Sequence, residues 1–83
     1  MTASTAGPKG RARSGLRKRS VSLAGHATSL ALEPEFWAVL EAMAQVEGVS
    51  LAGLIARIDA ERGMSLLASA CRIRALRWAQ AGR

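Results

Sequence analysis

A mainly α-helical chain that opens with a short β segment is the fold class this sequence predicts. Two observations carry it. The stretch "RSVSLAGHATSLAL" (19–32) alternates apolar and polar residues: Val21 and Leu23 against Ser20 and Ser22, then Leu30 and Leu32 against Ser29 and Ala31. A period of two is the mark of half-buried strand. From Pro34 onward the apolar residues recur instead at three- and four-residue spacing, between glycines and serines placed where helices end and begin.

Taken in order, residues 1–19 read as a disordered basic arm of Gly, Pro, Ser, Ala and like charges, with Leu16 its one large apolar residue. The domain is expected over 20–80 and a short tail over 81–83. Within the alternating stretch Thr28 falls on the leucine side, and Ala24-Gly25-His26 make a turn or a bend. Residues 20–23 either fold back on 28–32 as a hairpin or run on as an extended arm. Their Val21 and Leu23 call for burial, which favours ordered extended structure.

Pro34 opens the first helix, since its missing N–H would be unpaired there in any case. Glu33 and Glu35 suit the positive end of the helix dipole. Phe36, Leu40, Met43 and Ala44 follow at helical spacing with Trp37 beside them, and Gly48 supplies a left-handed stop. Ser50 caps a second helix, 51–62, whose apolar stripe is Leu51, Leu54, Ile55 and Ile58. Gly63 ends it. Ser65 is placed to cap a third helix, about 66–80, with Leu66, Ala70, Ile73 and Leu76 on one face.

Length and composition narrow the chemistry. A core of 83 residues usually needs a staple. A single cysteine, Cys71, rules out an internal disulfide, and a single histidine, His26, rules out a His/Cys metal cluster, which leaves oligomerisation. No Ser/His/Asp set, Cys/His pair or phosphate-binding glycine loop is present, so no enzyme, metal or cofactor is expected. Glu33 and Glu35 are two apart on a helix and do not meet. His26 reads as a turn or surface residue, and Phe36 and Trp37 as core or dimer interface. No apolar run is long enough to cross a membrane. The acid-free N-terminus also fits an organellar transit peptide, although Gly7-Pro8 and Gly10 break any amphipathic helix there.

Charge is the informative quantity. Residues 1–20 carry Lys9, Arg11, Arg13, Arg17, Lys18 and Arg19 and no acid, whereas six arginines and six acids cancel over 21–83. The whole net charge of +6 therefore sits in the first twenty residues. Such an arm suits a polyanion, because neutralising phosphates releases counterions.

The run "TSLALEPEFWAVLEAMAQVEGVSLAGLIARID" resembles a ribbon-helix-helix domain, the fold of the Arc and MetJ repressors. With the preceding "RSVSLAGH" and the third helix it resembles more nearly a short bacterial ribbon-helix-helix family that carries "GH.TS..LE.EFW" and "EGVSL..LI..ID". The resemblance covers about residues 19–80. It implies an intertwined homodimer in which strand 28–32 pairs antiparallel with its copy, with Leu30, Leu32, Phe36, Leu40, Leu54, Ile55 and Ile58 as the dimer core and the third helix as an addition.

It also implies a function: a cytoplasmic DNA-binding protein, associated with the nucleoid when bound, that regulates transcription. The ribbon would lie in the major groove of double-stranded DNA with Ala27, Ser29 and Ala31 facing the bases. Well-studied readers of this fold carry long polar side chains at those positions. Here only Ser29 offers a hydrogen bond, so base readout should be modest. Phosphates would be held by Arg17, Lys18 and Arg19 and by the helix start at Val49, Ser50 and Leu51. The competing reading is an antitoxin-like interaction module whose C-terminal helix, with Leu66, Leu67, Ile73 and Leu76, binds a partner protein.

Overall fold

A computed structural model describes residues 15–82. Two strands, β1 (Arg17–Leu23) and β2 (His26–Leu32), precede three helices, α1 (Pro34–Glu47), α2 (Leu51–Glu61) and α3 (Leu67–Gln80). Most of the arm expected over 1–19 lies outside the described residues. Arg17, Lys18 and Arg19, assigned to that arm from their charge, belong instead to β1.

The strands form an antiparallel hairpin joined by two residues. Ala24 has φ 51° and Gly25 φ 84°, the pair of positive angles that matches the twist of the flanking strands. Gly25 adopts this freely, whereas an alanine there costs about 1–2 kcal/mol. The register runs from Leu23 opposite His26 to Arg17 opposite Leu32. Strand 28–32 thus finds its first partner within its own chain, in residues 17–23. Of the two courses open to residues 20–23 the hairpin is the one taken, so the sheet does not depend on a second copy. Val21 and Leu23 decide the matter physically, because folding back buries both on the helices beside Leu30 and Leu32.

α1 starts at Pro34 and ends on Gly48, which is left-handed at φ 70° and ψ 30°. The Val49 N–H donates back to the Ala44 carbonyl at 3.0 Å and closes that end. Ser50 caps α2: its Oγ accepts the Gly53 N–H at 2.9 Å. The chain bends by 100° between these two helices. α3 starts one residue later than its serine predicts. Leu66 is the N-cap and makes no side-chain cap bond, because Ser65 belongs to the preceding turn and donates its N–H to the Arg62 carbonyl.

The core lies between the hairpin and the helices, β1 against α2 and β2 against α3. Leu32, Leu40, Met43, Leu54, Ile55, Ile58 and Cys71 are its most deeply buried large members. Six of the seven residues expected in a dimer core are therefore buried inside one chain. Phe36 is only half-buried, and its neighbour Trp37 takes the inner position. Each large apolar side chain so buried contributes about 1.5–3 kcal/mol, and none of that burial needs a second copy.

α3 is turned differently from its apolar spacing. Cys71 and Ala75 are its buried residues, with Leu67, Ala68, Ala70 and Trp78 packed beside them. Ile73 and Leu76 are 47% and 51% exposed, and Leu66 is exposed outright. Small side chains at 68, 71 and 75 let the helix approach the core closely, which a face of Ile and Leu would prevent.

The hairpin register is open to direct test. Ser20 and Ser29 form a pair without mutual backbone hydrogen bonds, where Cα atoms lie about 4.5 Å apart, within disulfide reach. Oxidising a Ser20→Cys/Ser29→Cys variant should give an intramolecular bridge of monomer mass on a non-reducing gel. An interchain bridge between positions 20 and 29, identified by peptide mapping, would show that β1 pairs with another chain; a 29–29 bridge would report only on two copies meeting at β2. Cys71 should not interfere, because it is buried and desolvation pushes its thiol up to about 11.

Candidate nucleic-acid interface

The hairpin has two unlike faces. Arg17, Arg19, Val21 and Leu23 of β1 share the core side with Thr28, Leu30 and Leu32. The opposite face carries Lys18, Ser20 and Ser22 from β1 beside Ala31, Ser29 and Ala27 from β2, in that cross-strand order. All of these are exposed except Ala31, which is half-buried. The three residues expected to face bases therefore stand on one outward surface. β1 contributes a second row there.

The three cationic residues expected on phosphate separate. Lys18 points outward. Arg19 lies on the helix side, with its guanidinium 4.6 Å from the Trp37 ring and 2.9 Å from a Glu41 carboxylate oxygen. Trp37 Nε1–H donates to the Arg17 carbonyl at 2.9 Å. Arg19 thus ties β1 to α1, and Arg17 and Lys18 are the cations of this strand left for a ligand. The signal was present in sequence: Arg19 stands two residues before Val21, so period two puts it on the buried side.

The start of α2 also needs one correction. The Val49 N–H is taken by Ala44, so it is not available to phosphate. The open amides are those of Ser50, Leu51 and Ala52, ahead of Gly53, whose N–H is occupied by Ser50 Oγ. A Cβ at Gly53 would stand 3.1 Å from that oxygen, so the glycine gives the cap its room.

Behind the interface, arginines clip the helices together. Arg72 of α3 reaches Glu33 at 2.9 Å and lies 5.8 Å from the Phe36 ring. Arg74 meets Glu61 and Arg57 meets Glu47, both at 2.6 Å. A groove of about 480 Å³ lies between α2 and α3, lined by Ile58, Arg62, Ser65, Ile73, Arg74 and Arg77 among others. Among the described residues no three His, Cys, Asp or Glu side chains gather as metal ligands. No single helix there is long and apolar enough to cross a membrane.

A β-ribbon with this register, followed by a helix stopped at Gly48 and a second capped by Ser50, is the architecture of a recognised class. Residues 16–79 match the family model described as "Ribbon-helix-helix domain", and the chain belongs to that family. Its members are generally DNA-binding regulators and typically not enzymes. The chain is similar to the solved structure of an uncharacterized protein from Bordetella pertussis Tohama I. The two share 38% sequence identity with a TM-score of 0.70 over 81% of this chain, which spans 59% of the length of that one. No curated protein matches the chain.

The Glu33–Arg72 contact has a pH signature. The hydrogen bond from Arg72 holds the Glu33 carboxyl below its usual value of 4.5. A carboxylate depressed in the folded state stabilises above its unfolded pKa and loses that contribution as pH falls through the folded one. The urea midpoint of the wild type should therefore drop on acidification below about pH 4.5. Glu33→Gln should show a shallower drop. Parallel profiles for the two proteins would show that the contact does not couple to folding.

Proposed function

We propose that this chain is a bacterial transcription regulator that binds double-stranded DNA as a homodimer in the cytoplasm. The observation that carries the reading is the layout of charge. Six basic residues and no acid occupy positions 1–20 and run into β1. All six acids stand on or at the start of α1 and on α2, at 33, 35, 41, 47, 59 and 61. The hairpin itself carries Arg17, Lys18 and Arg19 and no acid, on a fold whose relatives are generally DNA-binding.

The dimer forms at the open edge of β2. A two-residue turn pairs the Leu23 carbonyl with the His26 N–H. Bonded and non-bonded pairs then alternate along the ladder. Ala27, Ser29 and Ala31 thereby turn their backbone N–H and C=O groups away from β1. An exposed row of this kind is a template for another strand, and the same strand of a second copy completes it. Ala27, Ser29 and Ala31 of both copies then sit side by side, facing the floor of the major groove. Ser29 is the hydrogen-bonding reader, and the alanines contact thymine methyl groups. Ser50 and Leu51 present open amides to a phosphate.

Duplex affinity should fall steeply with salt. Removing residues 1–14, which leaves β1 whole, deletes Lys9, Arg11 and Arg13. It should lower the log–log salt slope by up to about 2.7 per chain, at about 0.9 for each phosphate no longer neutralised. An affinity for duplex DNA that does not respond to salt would end this reading.

A second reading rests on the exposed Leu66, Ile73 and Leu76 beside the α2–α3 groove: α3 docks on a partner protein. A stoichiometric partner that co-purifies with the wild type should be lost from an Ile73→Glu/Leu76→Glu variant. Isolation of the wild type from its native source as a homodimer alone would dismiss it.

A further inference from the structure

We infer that β1 is a phosphate-gripping strand, with Lys18, Ser20 and Ser22 holding the DNA backbone along the wall of the groove while β2 faces its floor. This rests on the groove-binding reading above and extends its phosphate contact at Lys18 to Ser20 and Ser22, the rest of the outward row of that strand.

Neighbouring strands lie about 4.7–4.9 Å apart. A dimer joined through β2 is four strands wide in the order β1–β2–β2–β1, so its two outer strand axes are about 14–15 Å apart. The major groove is about 12 Å wide. The two central strands fit between its walls. The outer strands cannot join them on the floor, and they fall where the sugar–phosphate backbones run.

The alternation that opens the β2 edge at Ala27, Ser29 and Ala31 opens the β1 edge at their cross-strand neighbours Ser22, Ser20 and Lys18. Each of those three residues presents an unpaired backbone N–H at the outer edge of the sheet and an exposed polar side chain on its outward face. Amides, hydroxyls and ammonium groups are the donors that phosphates accept. Residues two apart on a strand are separated by about 6.4–6.8 Å, close to the spacing of successive phosphates along a nucleic-acid strand.

The two outward rows differ in chemistry. β1 offers Lys-Ser-Ser outward, all donors, whereas β2 offers Ala-Ser-Ala. A face that was merely solvated has no reason to concentrate its polar groups on one strand, three on β1 against Ser29 alone on β2. No acid stands on either strand, so nothing on the hairpin repels a phosphate. A lysine on an edge strand also discourages aggregation. That role does not extend to Ser20 and Ser22, and it predicts no effect on DNA.

The test compares full-length wild type with Ser20→Ala/Ser22→Ala, Ser20→Thr/Ser22→Thr, Lys18→Ala and Ser29→Ala. Each is titrated with a duplex selected from a random pool and with an unrelated duplex, over a range of salt. Thermal midpoints confirm that the exposed substitutions leave the fold intact. The double alanine variant, which removes four hydroxyls from the dimer, should weaken binding to both duplexes by the same factor, at least about thirtyfold, with an unchanged salt slope. The threonine pair, which keeps the hydroxyls, should bind like the wild type. Lys18→Ala should lower the slope by about 0.9 per chain. Ser29→Ala alone should alter which duplexes the pool yields.

Unchanged affinity in the double alanine variant would overturn the inference and leave the DNA-binding reading standing. So would a changed sequence preference in that variant, because it would put β1 on the bases. Failure of the wild type to bind any duplex would remove both.

Discussion

A two-residue turn with two positive φ angles leaves its flanking strands a single register, and the remainder of the fold is built on that register. Ala24 and Gly25 set Leu23 opposite His26. From that pair outward, each β1 residue has one assigned neighbour on β2. Val21, Leu23, Leu30 and Leu32 then share one face, the only arrangement in which all four reach the helices. A slip of one residue would turn one strand's leucines to solvent. The strain accepted at Ala24 is small beside the burial of four large apolar side chains.

The same register divides the backbone as well as the side chains. One edge of the hairpin shows the amides of Ala27, Ser29 and Ala31, the other those of Lys18, Ser20 and Ser22. The hairpin satisfies the rest. A chain that already pairs its own strand and fills its own core brings a finished unit to any assembly. Its copies can meet edge to edge without either having to unfold.

The helices are held to the hairpin by arginines set against aromatic rings. Arg19 covers Trp37 and meets Glu41, fastening β1 to α1. Arg72 lies over Phe36 and meets Glu33, fastening α3 to the start of the same helix. A guanidinium suits such sites because its flat face lies on a ring while its edge meets a carboxylate. The adjacent Phe36 and Trp37 project to different sides of α1, which is why one dipeptide serves two contacts.

Much of this was written in local pattern. Alternation at 20–23 and 28–32 gave the strands, Pro34 and Gly48 the limits of the first helix, and Ser50 the start of the second. These follow from sequence because each depends on backbone geometry within a few residues: a missing N–H, a left-handed stop, an oxygen reaching an amide three residues on. The outward placement of Ala27, Ser29 and Ala31 was equally legible, being the consequence of period two once Leu30 and Leu32 are inside. What strand 28–32 pairs with was not local, since a strand from the same chain and one from a copy offer backbone groups of the same kind. The burial of Val21 and Leu23 on the assembled helices is what brings β1 to one of its edges. The face of α3 was decided in the same way, by how closely Cys71 and Ala75 could approach a core made by other segments. So was the diversion of Arg19 from ligand to scaffold, because its partners Trp37 and Glu41 stand eighteen and twenty-two residues away, beyond the reach of any local rule.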